Sequence, residues 1–261
     1  PLEGSLDMTA GIILAGGNKE KLLEGRNLPE NKALIPIGKK VMVEYVAEAV
    51  LGSPYIERII IAGPREKLKE YFQNHPKIEL VEGGDSPVQS LLKALEVLSP
   101  DEYQEKVLVT TGDIPLLTTE AVDSFLESCR SLEGDLFYSI VKKETNEKKF
   151  PGVQRTYVSL KEGVFTGGNM LLLRPVIMKK CNKFAEELVS LRKKPLSLAS
   201  YIGWFFLLRY LAGRLSIKDA EEKALELFGI KGVGIISPFP EIGIDVDKSS
   251  DLELVQKVLS S

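Results

Sequence analysis

Four stretches of the chain carry residue types whose spacing suits phosphate and metal chemistry. Leu14-Ala15-Gly16-Gly17 directly follows a short apolar run, residues 10–14 (AGIIL). Glycines after a strand let backbone N–H groups turn towards phosphate with no Cβ in the way. The spacing matches neither a dinucleotide fingerprint nor a P-loop, and a glycine pair there also serves as a plain turn. Asp113, in Thr111-Gly112-Asp113-Ile114-Pro115, stands at the carboxyl end of a predicted strand over 106–111. Open α/β sheets bind their ligands at that end. A carboxylate there suits a hard cation such as Mg²⁺, although an Asp in a turn is common for other reasons. Asp245 and Asp247, in Gly243-Ile244-Asp245-Val246-Asp247, alternate along a predicted strand over 242–246, so both face one side. Like charges at that spacing, about 7 Å, are unfavourable without a nearby cation. Lys32, 15 residues after Gly17, can swing back to neutralise a phosphate in a transition state. Most lysines are simply solvated.

Composition limits what else the chain can be. With 261 residues, 44% hydrophobic and 27% charged, it matches an ordinary globular protein able to bury a core. The formal net charge of −3 argues against a nucleic-acid platform, which needs a broad basic face. The single histidine, His75, and the two separated cysteines, Cys129 and Cys181, leave no usual zinc set, so a metal must be held by carboxylates. The cysteine usage suits a reducing cytoplasm. Residues 1–7 lack the pattern of a signal peptide. Residues 198–211 form the one membrane-like stretch. It is shorter than the roughly 20 residues of a spanning helix, and Arg209 interrupts it.

The elements that must position these residues alternate. Apolar runs at 10–14, 58–62, 78–81 and 106–111 read as buried strands. Between and after them lie helical stripes at 41–51, at 66–72, from Ser86-Pro87 to Leu98, and from Thr118 or Thr119 to Cys129. Such alternation means a parallel sheet with helices on both faces. Further on, 135–141 and 155–160 read as strands around a charged loop, 142–150, and 169–173 as another strand. Residues 176–228 read as a helical insertion, 233–236 and 242–246 as late strands, and 251–259 as a closing helix. The whole reads as one domain, 8–261.

In order, LAGG, KALIPIGK, GGDSPVQS, TTGDIPLL, FTGGN and IDVDKSSDLEL together resemble the MobA-like nucleotidyltransferases, whose relatives include cytidylyl-, guanylyl- and uridylyltransferases of sugar and isoprenoid precursors. The resemblance covers about 10–175 and 233–259. It implies a three-layer α/β/α Rossmann-like fold of the GT-A type, with a mostly parallel sheet carrying the helical insertion. It implies that Leu14, Ala15, Gly16 and Gly17, with Gly112, hold the nucleotide, and that Gly83, Gly84, Asp85 and Ser90 meet its base. Lys32 would stabilise the attacked α-phosphate. Asp113 would bind Mg²⁺, with Asp247 or Asp245 as the second acid. Thr166, Gly167, Gly168 and Asn169 would line the acceptor side. The chain departs from the pattern after LAGG. It reads Asn18-Lys19-Glu20-Lys21-Leu22, where the family carries a serine or arginine, and Lys19 or Lys21 would replace that arginine. An insertion through Glu30 delays Lys32, and Asn31 stands where the family has a proline.

The implied reaction is in-line attack by an acceptor phosphate oxygen on the α-phosphorus of a nucleoside triphosphate. It needs positioning and charge neutralisation rather than a covalent nucleophile. Arg155, with Thr156, is expected to hold the acceptor phosphate, while Lys142, Lys143, Lys148 and Lys149 read as solvated. Two other readings stand beside this one: a GT-A-type glycosyltransferase using a nucleotide sugar, and a nucleotide-binding protein without catalysis. Residues 198–215, with Trp204 at their centre, are apolar all round. The expected cover is the chain's own helical subdomain, with a homodimer interface or an apolar surface as alternatives.

Overall fold

In a computed structural model of the chain, the described residues are 9–18, 28–179, 186–187, 209 and 212–260. They build one mixed eight-stranded sheet and a small hairpin. In chain order the strands are β1 (Thr9–Leu14), β2 (Pro36–Ile37), β3 (Lys40–Val41), β4 (Ile56–Gly63), β5 (Ile78–Glu82), β6 (Val107–Thr111), β7 (Leu136–Lys142), β8 (Val158–Leu160), β9 (Gly163–Leu173) and β10 (Gly232–Ser237). The helices are α1 (Met42–Leu51), α2 (Arg65–Phe72), α3 (Pro87–Leu95), α4 (Pro100–Gln104), α5 (Thr119–Arg130), α6 (Lys143–Lys149), α7 (Ile217–Phe228) and α8 (Ser249–Leu259).

The sheet runs β10-β7-β9-β6-β1-β4-β5, with β8 paired to β9. Pairing is parallel throughout the main path except at β9, which runs antiparallel to both β6 and β7. Side-chain alternation along the strands separates two layers of core. Ile12, Ile60 and Val109 face α3, where Val88, Leu91, Ala94 and Leu95 cover them. Ile13, Ile61 and Leu108 face α1 and α5, where Val46, Val50, Val122 and Phe125 cover them. Both faces are dry, which is why these strands read as unbroken apolar runs. A third cluster, with Ile35, Ile37, Met42, Ile244, Val246, Leu252 and Val255, packs α8 and the β2–β3 hairpin together.

Five stretches differ from what periodicity suggests. Residues 142–150, expected as a charged loop, contain α6. Its sequence KETNEKK has no apolar stripe to reveal it. It is tethered instead by buried Asn146, whose Nδ2 donates to the Tyr157 hydroxyl at 2.8 Å. Residues 242–246, expected as a strand, continue a 3₁₀ turn (Pro240–Gly243) into irregular chain outside the ladders. Ile242, Ile244 and Val246 are each fully buried, and this burial imitates strand alternation. The strand expected over 155–160 is only Val158–Leu160, while that expected over 169–173 begins at Gly163. The helix expected to reach Leu98 stops at Leu95, and Ser99 caps the separate α4.

Of the helical insertion, residues 176–179 and α7 are helical. Most of 198–215, including Trp204, lies outside the described residues, as do residues 1–7, Lys19, Lys21 and Cys181. Among the described residues no helix is long and apolar enough to cross a membrane.

Candidate active site

The carboxyl ends of β1, β4, β5 and β6 meet in one line of backbone. Ala15 N donates to Ala62 O at 2.7 Å, Gly112 N to Leu14 O at 2.9 Å, and Gly83 N to Gly63 O at 2.8 Å. The chain leaves through Gly17 and Asn18 and returns at Asn31, which bridges back to Asn18. Lys32 N then donates to Gly17 O at 2.9 Å, and Asn31 Nδ2 donates to Ala15 O at 2.8 Å. Lys32 is thus bound to the glycine turn through its backbone. The glycines differ in cause. A Cβ on Gly16 would lie 3.3 Å from Ser90 Oγ, and one on Gly112 within 3.4 Å of Ala15, Ala33 and Val43. A Cβ on Gly17 would meet none of the described residues within 4 Å, which leaves room above the turn for close approach of backbone N–H groups to a ligand.

The Lys32 ammonium is 2.5 Å from Asp113 Oδ2 and 2.5 Å from Asp247 Oδ1. Burial disfavours its charge, but the two carboxylates outweigh that and raise its pKa above the ordinary lysine value. Burial also opposes the charge of Asp247, yet the lysine holds that carboxyl below its usual range. Asp245 goes the other way. Burial first, then the neighbouring Asp247 and Asp113, push it well above the carboxylate range.

Asp113, Asp245 and Asp247 can each bring a carboxylate oxygen within 4.8 Å of the others'. Among the described residues Asp113 Oδ1 is buried without a hydrogen-bond partner. An orphaned carboxylate oxygen in an oxygen-only set fits a hard divalent cation. Asp245 and Asp247 do not get there as a strand. Val246 N donates to Asp113 O at 3.0 Å, and the burial of Ile244 and Val246 on one side sends the two acids to the other.

Gly83, Gly84 and Asp85 form the turn after β5, beside Gly16. Ser90, 2% exposed, accepts from Gly84 N at 2.9 Å, and Lys93 Nζ donates to Gly83 O at 2.7 Å. Ser90 therefore fastens the turn from below. A cavity of about 520 Å³ next to the acids is lined by Thr156, Thr166, Gly167, Gly168 and Asn169. Tyr138, Gln154 and Lys248 line it too; the sequence carried no signal for the first two, and Lys248 stood unassigned within the IDVDKSSDLEL motif. Gly168 is demanded by β7, because a Cβ there would run into Ser139 Cβ and its carbonyl oxygen, while one on Gly167 would meet the Tyr138 hydroxyl. Arg155 borders the same cavity, but its guanidinium is turned to the chain. Nε donates to Gly243 O at 3.0 Å, Nη2 to Asp245 O at 2.9 Å, and Nη1 to Asp251 Oδ1 at 3.2 Å. Asp251 also went unnoticed as a site residue. An acid three residues after Lys248, at the start of a helix, is the one signal that could have revealed it.

Known proteins share this frame. A solved structure of a hypothetical transferase from Thermus thermophilus superposes with a TM-score of 0.81 at 37% identity, covering 94% of this chain and 99% of that one. The 2-C-methyl-D-erythritol 4-phosphate cytidylyltransferase of Francisella tularensis superposes at 0.60 over 95% of this chain and 99% of that one, and at 15% identity shares the fold alone. In sequence, the bifunctional protein GlmU of Methanocaldococcus jannaschii is 36% identical over 107 residues, 40% of this chain and 24% of that protein. The cytidylyltransferase of the same 2-C-methyl-D-erythritol 4-phosphate type from Klebsiella pneumoniae is 26% identical over 124 residues, 46% of this chain and 51% of that protein. The chain thus spans about half or less of the curated relatives it matches. The model of the MobA-like NTP transferase domain matches residues 11–197, and this chain belongs to that family of nucleotidyltransferase domains.

Proposed function

We propose that the protein transfers a nucleotidyl group from a nucleoside triphosphate to a small phosphorylated acceptor and releases pyrophosphate. The observation that carries this reading is the Lys32 ammonium, held 2.5 Å from both Asp113 and Asp247 beside the open Gly17 turn. One cationic group thereby stands between a phosphate-binding turn and a metal-type acid cluster. A divalent cation, Mg²⁺ by the oxygen-only donor set, would be held by Asp113 with Asp245 and Asp247 and would supply Lewis-acid neutralisation of the triphosphate.

The chain's own residues do the rest. Backbone N–H groups of Gly16 and Gly17 receive the phosphates, and the turn at Gly83–Asp85 faces the base. Lys32 stabilises charge that grows on the α-phosphate as the acceptor oxygen adds in line and pyrophosphate leaves. Thr156, Thr166 and Asn169 offer hydroxyl and amide groups to the acceptor, and Lys248 offers a cation. The relatives named for 2-C-methyl-D-erythritol 4-phosphate support an acceptor of the polyol-phosphate class. Few cysteines and a nucleoside triphosphate substrate favour a cytoplasmic setting.

A pyrophosphate-release assay tests the reading, with each of the four nucleoside triphosphates, a panel of sugar and polyol phosphates, and Mg²⁺ or EDTA. Pyrophosphate is expected for one triphosphate–acceptor pair and lost with EDTA. Turnover of a nucleotide sugar without pyrophosphate would replace the reading with glycosyl transfer.

A further inference from the structure

The chain from Gly243 to Lys248 carries two of the three acids yet belongs to no sheet ladder. Its backbone groups need partners from elsewhere: Ile244 N and Val246 N find the carbonyls of Glu241 and Asp113, and two buried side chains bind four further groups. The Arg155 guanidinium binds Gly243 O and Asp245 O, and its Nη2 lies 3.8 Å from Asp245 Oδ1. Asp251 takes Arg155 on Oδ1, while its Oδ2 accepts from Asp247 N at 3.1 Å and Lys248 N at 3.1 Å. The side chains of Arg155 and Asp251 are 8% and 2% exposed.

We propose that Arg155 is a positioning residue: anchored on Asp251, its guanidinium clasps the Gly243–Lys248 segment so that Asp245 and Asp247 present their carboxylates to Asp113 and Lys32. A buried ion pair adds little net stability over apolar packing of the same volume. Its value here is geometric, because metal-binding carboxylates must be held to within about 0.5 Å. The arginine fork reaches two carbonyls and one carboxylate at once, whereas a lysine point charge cannot bind them in that planar pattern. The same contacts leave the guanidinium little capacity to hold an acceptor phosphate.

The inference rests on the acid cluster of the proposed function, and its test separates the two. Mn²⁺ binding to the nucleotide-free protein is measured by calorimetry and by Mn²⁺ resonance, alongside steady-state kinetics. Arg155→Met keeps the apolar stem and removes the fork. It is expected to weaken Mn²⁺ binding about tenfold or more, the range for groups that orient metal ligands. It should also lower kcat while leaving the acceptor KM near wild type. Arg155→Lys should recover Mn²⁺ affinity only in part. Asp251→Asn, which keeps both arginine–carbonyl bonds, should weaken Mn²⁺ binding less and serves if Arg155→Met does not fold. Wild-type Mn²⁺ affinity with a raised acceptor KM would overturn the proposal and make Arg155 an acceptor ligand. Weakened Mn²⁺ binding in a protein that transfers no nucleotide would leave the clasp standing and overturn the function instead.

Discussion

Replacing Lys32 with methionine keeps the unbranched stem and removes the charge between Asp113 and Asp247. With each carboxylate 2.5 Å from Nζ, the gross attraction is several kcal/mol per pair at an effective dielectric of about 20. Burial of the ammonium, 10% exposed, takes back part of it. Breaking a buried pair from one side costs about 3–5 kcal/mol. Asp247 is 46% exposed, so solvent takes up some of its charge and a net loss of about 2–3 kcal/mol is reasonable. At about 2–4 °C per kcal/mol for a chain of this size, Tm in EDTA should fall by roughly 4–12 °C. A divalent cation neutralises the same acids, so Mg²⁺ should raise the Tm of Lys32→Met more than that of the wild type. Turnover should not return with it. The kcat should stay about 10²–10³-fold down, as when one preorganised transition-state donor is removed. Differential scanning fluorimetry with and without Mg²⁺, beside pyrophosphate release, reads all three. Unchanged Tm in EDTA together with equal Mg²⁺ shifts would refute the electrostatic account, and an effect on KM alone would confine Lys32 to ground-state binding.

Other expectations follow from the same contacts. Asn31→Ala removes the bond to Ala15 O and should raise the KM for the nucleoside triphosphate about tenfold, roughly 1.4 kcal/mol; an unmoved KM would show that the glycine turn holds itself. Gly168→Ala would bring a Cβ to 3.0 Å from Ser139 Cβ and 3.1 Å from its carbonyl oxygen, so urea denaturation should show a loss of about 1–3 kcal/mol, and wild-type stability would mean that β7 and β9 separate easily. Glu102 binds Arg58 through both oxygens, at 2.7 and 2.8 Å, and this holds its pKa down to about 2 from 4.5. Because the folded value lies below the unfolded one, the stabilisation is present above pH 4.5 and fades as pH falls towards 2. The Tm gap between wild type and Glu102→Gln should therefore narrow across that window, and a gap independent of pH would assign the effect to packing.

Much of the frame was legible because it is local. Dry strands such as β1 and β6 announce themselves as apolar runs, and α1, α3 and α5 as stripes with caps, since periodicity follows from which face is buried. The order of the glycine turns and of Asp113 was legible for the same reason, since each sits where a strand ends. Helix α6 was not, because KETNEKK is held by polar contacts, buried Asn146 on Tyr157 and Lys149 on buried Glu241, rather than by an apolar face. Nor was the 242–246 segment, where burial of Ile242, Ile244 and Val246 gives the pattern of a strand without its hydrogen bonds. The partners of Lys32 and Arg155 lay furthest from sight. Asp247 is 215 residues beyond Lys32, and Asp251 is 96 beyond Arg155. Residue types and local spacing determined which groups could hold phosphate and metal. Only the tertiary structure decided that Lys32 sits between two of the acids and that Arg155 faces their backbone, because a charged side chain's partner is chosen by what the fold buries beside it.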